Sequence, residues 1–130
     1  MQNEMRNNGI LSRLELDLIV EPTDPAPFFQ ATFSIRNLTS APIPFTFPNS
    51  QRYDFMIQDD SDRELWKWSD GRFFAMMITE EELGQEPWVY RERIPAVDRG
   101  GRPLPGGQYT LRARQMSSPL IENQLSFHIQ

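Results

Sequence analysis

Cysteine is missing from all 130 residues of this chain. Small secreted domains often depend on disulfides, so a chain without cysteine favours a reducing compartment. The same absence excludes a catalytic thiol. We therefore expect a cytoplasmic protein whose core forms without covalent cross-links, which a single domain of this length is large enough to do.

Long apolar runs and an excess of basic charge are also missing. No stretch approaches the roughly 20 apolar residues that span a membrane, and the polar start, residues 1–9, lacks the apolar centre of a secretory signal. The 13 Lys and Arg residues are outnumbered by 18 Asp and Glu, which gives a net charge of −5. Nucleic-acid binding requires basic residues gathered on one face. We expect neither a membrane nor a nucleic acid as partner.

Residues for nucleophilic catalysis are scarce. The sequence has no G-x-S-x-G motif, and its one histidine, His128, lies two residues from the end. His128 stands between Phe127 and Ile129 in an alternating segment, which places it on the solvated face of a predicted strand. A surface residue is therefore a better interpretation than a general base. We predict that the chain is not an enzyme and binds no cofactor.

A cluster of carboxylates is the remaining candidate for a metal site, because hard cations prefer oxygen ligands. These residues are Asp59, Asp60, Asp62 and Glu64. An EF-hand loop that began at Asp60 would need glycine at its sixth position and glutamate at its twelfth, where this chain has Leu65 and Gly71. We interpret the cluster as a solvated hairpin turn and predict no metal.

Alternation of apolar and polar residues, which is typical of half-buried strands, dominates what the sequence does contain. It predicts about eight short strands, near residues 14–20, 29–36, 45–47, 53–57, 65–68, 88–94, 109–113 and 125–129. Thr79 followed by Glu82 and then Gly84 predicts one helical turn near residues 79–83. The whole pattern indicates an all-β antiparallel sandwich. We assign residues 1–10 to a flexible N-terminal segment and residues 11–130 to a single domain.

Two local patterns add detail to this fold. Residues 104–109, which end in Tyr109, have the spacing of a tyrosine corner, in which a phenol bonds to backbone at a Greek-key crossing. The aromatic strands near residues 53–57 and 65–68 are predicted to form a hairpin. Asp54, on the same side of its strand as Arg52, is expected to bond to nearby backbone or to pair with Arg52.

Several motifs, in a consistent order, resemble those of the bacterial intracellular proteinase inhibitors, the BsuPI-like family. The shared residues are Asn37 with Pro42, the run Gln51, Arg52, Tyr53, Asp54 and Phe55, then Trp66, Trp68 and Ser69, then Phe73, and finally Gly107 with Tyr109. The resemblance covers residues 32–115. It implies an immunoglobulin-like sandwich. The motif residues with an implied structural role are Gln51, Arg52, Tyr53, Asp54, Phe55, Trp66, Trp68, Ser69, Gly107 and Tyr109.

The resemblance also implies a function: inhibition of serine proteases, of the subtilisin type, through an exposed loop. Loops near residues 21–27, 59–64 and 96–106 are candidates for this contact. We favour the third, with Arg99, Gly100, Gly101 and Arg102 as the protease-binding residues. The implied partner is a cytoplasmic serine protease, bound by a monomer or weak oligomer. Alternatives are an immunoglobulin-like interaction module that inhibits nothing, and a domain that assembles through its edge strands.

Overall fold

Nine β-strands make up most of the computed structural model, which describes residues 9–23 and 28–130. They are β1 (Leu14–Pro22), β2 (Phe28–Asn37), β3 (Ile43–Phe47), β4 (Tyr53–Gln58), β5 (Glu64–Lys67), β6 (Thr79–Leu83), β7 (Trp88–Pro95), β8 (Gly107–Gln115) and β9 (Ile121–Ile129). One helical turn, at residues 9–11, precedes the first strand. The predicted all-β class is confirmed.

The strands form three antiparallel sheets around one core. Their orders are β1-β2-β7, β3-β6 and β5-β4-β8-β9. Aromatic side chains connect the sheets across the interior: the ring centroids of Phe29 on β2 and Phe127 on β9 lie 5.0 Å apart. Alternation explains this arrangement, since β2 turns Phe29, Phe33 and Ile35 inward and leaves intervening residues on its outer side.

The hairpin and the tyrosine corner form as predicted. Strands β4 and β5 pair antiparallel, with Ile57 opposite Trp66. The Tyr109 hydroxyl donates a hydrogen bond to the carbonyl of Pro105, with an oxygen–oxygen distance of 2.5 Å. Gly107 begins β8 with φ at 153°, a conformation that is essentially restricted to glycine, which accounts for glycine at this motif position. The immunoglobulin-like connectivity stays a prediction.

The helical turn predicted near residues 79–83 is wrong. This segment is strand β6, which pairs with β3 so that Thr79 lies opposite Phe47 and Leu83 opposite Ile43. The capping pattern of Thr79 and Glu82 is a local preference, whereas β3 needs a partner for its backbone donors and acceptors. Burial of Leu83, which is fully enclosed, adds to the pairing. The ninth strand is therefore the one that the alternation did not reveal.

The predicted flexible segment, residues 1–10, lies outside the described residues except for Gly9 and Ile10. Ile10 is 9% exposed and packs with the core. Its carbonyl accepts a hydrogen bond from the Arg13 backbone N–H at 3.0 Å, which closes the helical turn in front of β1. This turn therefore contributes an apolar side chain to the hydrophobic core of the described residues.

Candidate functional site

Asp54 connects the two strands of the aromatic hairpin and is only 1% exposed. Its Oδ2 accepts a hydrogen bond from the Ser69 hydroxyl at 2.6 Å. Its Oδ1 accepts from the backbone N–H groups of Ser69, at 3.1 Å, and Phe55, at 2.9 Å. The prediction that Asp54 bonds to nearby backbone is confirmed. The carboxyl group thereby fixes the point at which the chain leaves β5 and begins the connection to β6.

Arg52 has other partners than Asp54. Its guanidinium forms an ion pair with Glu81 on β6 and donates to the Thr79 hydroxyl at 3.1 Å. The same group lies 4.1 Å from the ring centroid of Phe47. Arg52 therefore stabilises the end of the β3–β6 pair at which Phe47 lies opposite Thr79.

Tyr53 lies at the centre of an aromatic stack between the sheets. Its ring centroid is 4.9 Å from that of Tyr90 and 4.8 Å from that of Trp68. The Tyr53 hydroxyl donates to the Glu92 carboxylate at 2.6 Å, and the Tyr90 hydroxyl donates to the Gln115 side chain at 2.8 Å. These contacts join β4, β7 and β8, so Tyr53 also belongs to the scaffold rather than to a reactive centre.

Burial raises the pKa of Tyr53 above its ordinary value, and the hydrogen bond to Glu92 and the charge of Glu92 raise it further. Burial likewise raises the pKa of Tyr90. A phenol with a raised pKa in the folded state keeps its proton where the unfolded chain has lost it. The contribution of these two tyrosines to the free energy of unfolding is therefore fully present below pH of about 10. It decreases as the pH rises beyond this value.

We expect the free energy of unfolding to decrease above pH of about 10, by up to about 1.4 kcal/mol per pH unit for a fully shielded tyrosine. Solvent screening makes the effect smaller here, because both rings are partly exposed. Urea unfolding between pH 8 and pH 11.5 measures it, and the slope should become shallower in Tyr90→Phe. A stability that stays constant across this range would contradict the assignment.

The turn that carries the predicted contact residues is ordered by Asp98. The Asp98 Oδ1 accepts hydrogen bonds from the backbone N–H groups of Gly100, at 2.9 Å, and Arg102, at 3.0 Å. Gly101 has a φ of +82°, which closes the turn without steric strain. The Arg99 guanidinium donates to Asp70 at 2.9 Å and also pairs with the Glu64 carboxylate. Arg102, the other arginine of this turn, is exposed and forms no ion pair with the residues that the structure describes.

The other two candidate loops differ in what the structure describes. In the acidic turn, Asp59 accepts hydrogen bonds from the backbone of Ser61 and Arg63 and from the Arg63 side chain. These bonds lower the pKa of the Asp59 carboxyl group. The turn is thus a compact hairpin end. Of the proline-rich connection, residues 24–27 lie outside the described residues.

The most exposed apolar stretch among the described residues is one that sequence reasoning missed. Residues 73–78, here called the apolar segment, run between β5 and β6 without joining a sheet. Four of its six side chains are large, apolar and exposed: Phe73 at 99%, Met76 at 89%, Ile78 at 75% and Met77 at 59%. An uninterrupted apolar run between Arg72 and Thr79, which shows no alternation, is the sequence signal that could have identified it.

The predicted contact turn borders a cleft of about 540 Å³, and the residues that lead into the apolar segment, from Asp70 to Arg72, border its other side. Trp66 and Trp68 line it from β5 and the residues that follow, Arg72 lines it beside the apolar segment, and Arg99 and Gly101 line it from the turn. The ion pair between Arg99 and Asp70 connects the two sides. Of the four sequence-predicted contact residues, Arg99 and Gly101 therefore line this cleft, together with the motif residues Trp66 and Trp68.

No cluster of three or more potential metal-ligating residues occurs within residues 9–23 and 28–130. Over the same residues, none of the helical structure has the length and apolar character needed to cross a membrane.

Comparisons with known proteins place the chain in a family. A search of solved structures finds similarity to Spo0M, a sporulation control protein from Bacillus subtilis, with a TM-score of 0.45 and 13% identity over 90% of this chain and 48% of that one. No curated protein matches the sequence. The family model for the intracellular proteinase inhibitor BsuPI matches residues 14–120, which include strands β1 to β8. On this match, the chain belongs to the BsuPI family of intracellular proteinase inhibitors.

Proposed function

We propose that this domain is a cytoplasmic, non-enzymatic inhibitor of a serine protease of the subtilisin type. It acts by placing an exposed rim against the substrate cleft of the protease. The rim consists of the apolar segment, residues 73–78, and the turn that carries Arg99, Gly100, Gly101 and Arg102, which the ion pair between Arg99 and Asp70 connects to the chain that leads into the segment. Membership in a family of proteinase inhibitors supports the general role, and the exposed apolar segment is the observation that supports the mode of contact.

The apolar segment has the properties that a protease-binding loop needs. A contiguous group of exposed apolar side chains on a small domain commonly marks a binding site. Backbone bonds to Ser50 hold Ala75 at the centre of the segment, at 2.7 and 2.9 Å, so little conformational entropy is lost when a partner docks. A cleft that accepts an extended peptide can therefore bind this segment at a small ordering cost.

The turn with Arg99 and Arg102 supplies the polar edge of the proposed rim. Arg99 is held against Asp70, which leads into the apolar segment, so this residue positions one side of the rim relative to the other. Arg102 extends into solvent and is available to contact a partner. Rim charges contribute mainly to the association rate and to its dependence on salt.

Titration of a subtilisin-type serine protease with the purified domain tests this function. We expect stoichiometric loss of proteolytic activity at micromolar inhibitor, with the domain recovered intact from the complex. Arg102→Ala should weaken inhibition only a few-fold, as is usual for a rim charge, and Arg99→Ala should weaken it by loosening the contact with Asp70. Unchanged protease activity at micromolar excess, or rapid digestion of the domain, would instead favour an interaction module that inhibits nothing.

A further inference from the structure

Met76 stands out among the exposed apolar residues because it projects from a fixed backbone. In the described part of the chain, the exposed large apolar residues outside residues 73–78 occur singly and none exceeds 55% exposure: Leu11, Ile19, Leu38, Val89 and Leu120. Single residues of this kind are normal on protein surfaces. Met76 at 89% exposure, with Phe73 at 99%, belongs to a continuous group, for which binding is the more natural explanation.

The backbone immediately before Met76 is clamped by Ser50. The Ser50 N–H donates to the Ala75 carbonyl at 2.9 Å, and the Ser50 hydroxyl accepts from the Ala75 N–H at 2.7 Å. The backbone N–H and the carbonyl of Ala75 are therefore both bonded to Ser50, which lies in the connection between β3 and β4. Such a clamp leaves little freedom for the residue that follows.

Aromatic packing holds the preceding part of the segment. The Phe74 ring lies 6.1 Å from the Trp68 ring, and the Arg72 guanidinium lies 4.1 Å from the Trp68 centroid while its Nε donates to the Trp68 carbonyl at 2.9 Å. Phe74 thus turns inward while Phe73 points to solvent. The rest of the segment, residues 75–78, is exposed and pairs with no strand among the described residues.

Met76 itself forms the apex of a tight turn. The Met77 N–H donates to the Ala75 carbonyl at 2.9 Å, which makes a three-residue turn with Met76 at its centre. A side chain that projects from the apex of a fixed turn suits a deep pocket rather than a flat surface. The unbranched thioether chain of methionine adapts to the shape of an apolar pocket.

We infer that Met76 fills the primary specificity pocket of the inhibited protease and that this pocket is apolar, with Phe73 in a second apolar subsite. This inference rests on the proposed inhibitory function and specifies it. The pocket chemistry follows from the side chain: an uncharged thioether gains nothing from the buried carboxylate of a trypsin-type pocket, whereas an apolar slot accepts it. An arginine from the 98–102 turn would have the opposite preference.

Inhibition constants against subtilisin, chymotrypsin and trypsin, measured for the wild-type domain and single variants, test the inference. We expect the wild type to inhibit subtilisin or chymotrypsin and to spare trypsin. Met76→Ala should raise the inhibition constant at least thirty-fold, the loss that is typical of a residue central to an interface. Phe73→Ala should raise it several-fold, and Met76→Lys should transfer inhibition towards trypsin.

Leu38→Ala is the matched control, because Leu38 is an exposed apolar residue at the opposite end of β6, next to the Asn37 side chain that bonds to the Leu83 carbonyl at 3.0 Å. It should leave every inhibition constant unchanged. All three substituted residues are exposed, so thermal melting should remain the same and exclude unfolding as a cause.

The outcomes separate this inference from the function on which it rests. Full potency of Met76→Ala against a protease that the wild type inhibits would overturn the inference and leave the function intact. Inhibition of trypsin alone, lost in Arg102→Ala, would overturn it in favour of the 98–102 turn. A wild type that inhibits none of the three proteases would overturn both. A sedimentation experiment in which the wild type is a dimer and Met76→Ala is a monomer would also overturn both, because Met76 would then serve contact between two copies of this chain.

Discussion

Asp54→Ala is expected to lower the free energy of unfolding by about 3 kcal/mol or more. The substitution removes an enclosed carboxyl group and leaves the backbone N–H groups of Phe55 and Ser69 and the Ser69 hydroxyl without their acceptor. Each buried donor that loses its partner costs about 1–3 kcal/mol. Little relief from solvent is available, because Asp54 is 1% exposed. Chemical denaturation with urea, analysed by linear extrapolation, measures the change.

Two variants separate the bonds of Asp54 from its side-chain volume. Asp54→Asn keeps the shape and one acceptor oxygen, so it should cost less than alanine. Ser69→Ala removes only the 2.6 Å bond between the hydroxyl and the carboxyl group and should cost about 1 kcal/mol. Asp60→Ala, in the exposed acidic turn, is the control and should be neutral. Equal effects of Asp54→Ala and Asp60→Ala would contradict the proposed role.

Asp54→Ala should also weaken protease inhibition in conditions where the domain remains folded. Ser69 begins the connection that carries the apolar segment, so release of Ser69 loosens the chain that leads to Met76. Greater freedom in the unbound segment increases the entropy lost on docking. We therefore expect a higher inhibition constant for Asp54→Ala than for a core variant of equal stability, such as Ile57→Val combined with Leu111→Ala.

Much of this fold could be predicted from the sequence because its strands are half-buried. Where one face is wet and the other dry, as in β1 and β8, alternation reports directly which residues turn inward. The hairpin of Tyr53 and Trp66 and the corner at Tyr109 were equally accessible, since each depends on residues close in sequence. Such local signals predicted eight of the nine strands.

Strand β6 could not be predicted because its cause is distant in sequence. Thr79 and the three glutamates after it favour a helical turn locally, and Thr79 lies opposite Phe47, which is 32 positions earlier in the chain. Pairing with β3 satisfies the backbone of both segments, and this non-local gain exceeds a small propensity term. Nothing within residues 79–83 carries that information.

The candidate site was predicted only in part, for a related reason. The turn at Arg99 was recognised as exposed, but its ion pair with Asp70 joins two loops that only the folded chain brings together. The apolar segment contains Phe73, which matched the family's aromatic position, yet an apolar run suggests burial rather than exposure. Its backbone is held by the Ser50 clamp at Ala75, a contact that spans 25 positions.

Asn37→Ala is expected to lower the free energy of unfolding by about 3 kcal/mol, because Asn37 is a buried amide in which every polar group is used. Its Nδ2 donates to the carbonyls of Ala41, at 2.8 Å, and Leu83, at 3.0 Å. Its Oδ1 accepts from the Thr39 N–H at 2.8 Å and from the Thr39 hydroxyl at 2.7 Å. The bond to Leu83 joins the end of β2 to β6, so its loss separates elements from two sheets.

Asn37→Asp tests the donor role most directly, because the substituted side chain has the same shape but, when ionised, directs an oxygen at two carbonyl oxygens. We expect it to destabilise the domain at neutral pH at least as much as Asn37→Ala, since a buried charge without a donor is costly. Thr39→Ala removes only one side of the network and should cost about 1 kcal/mol. Urea unfolding of the three variants gives the ranking, and an Asn37→Asp variant as stable as wild type would show that the two carbonyls do not depend on this amide.

The same geometry bears on the tripeptide Asn37-Leu38-Thr39, whose sequence matches a glycosylation acceptor. A nitrogen that is 2.8 and 3.0 Å from two carbonyl oxygens in a residue only 5% exposed serves the fold and is closed to modification in the folded chain.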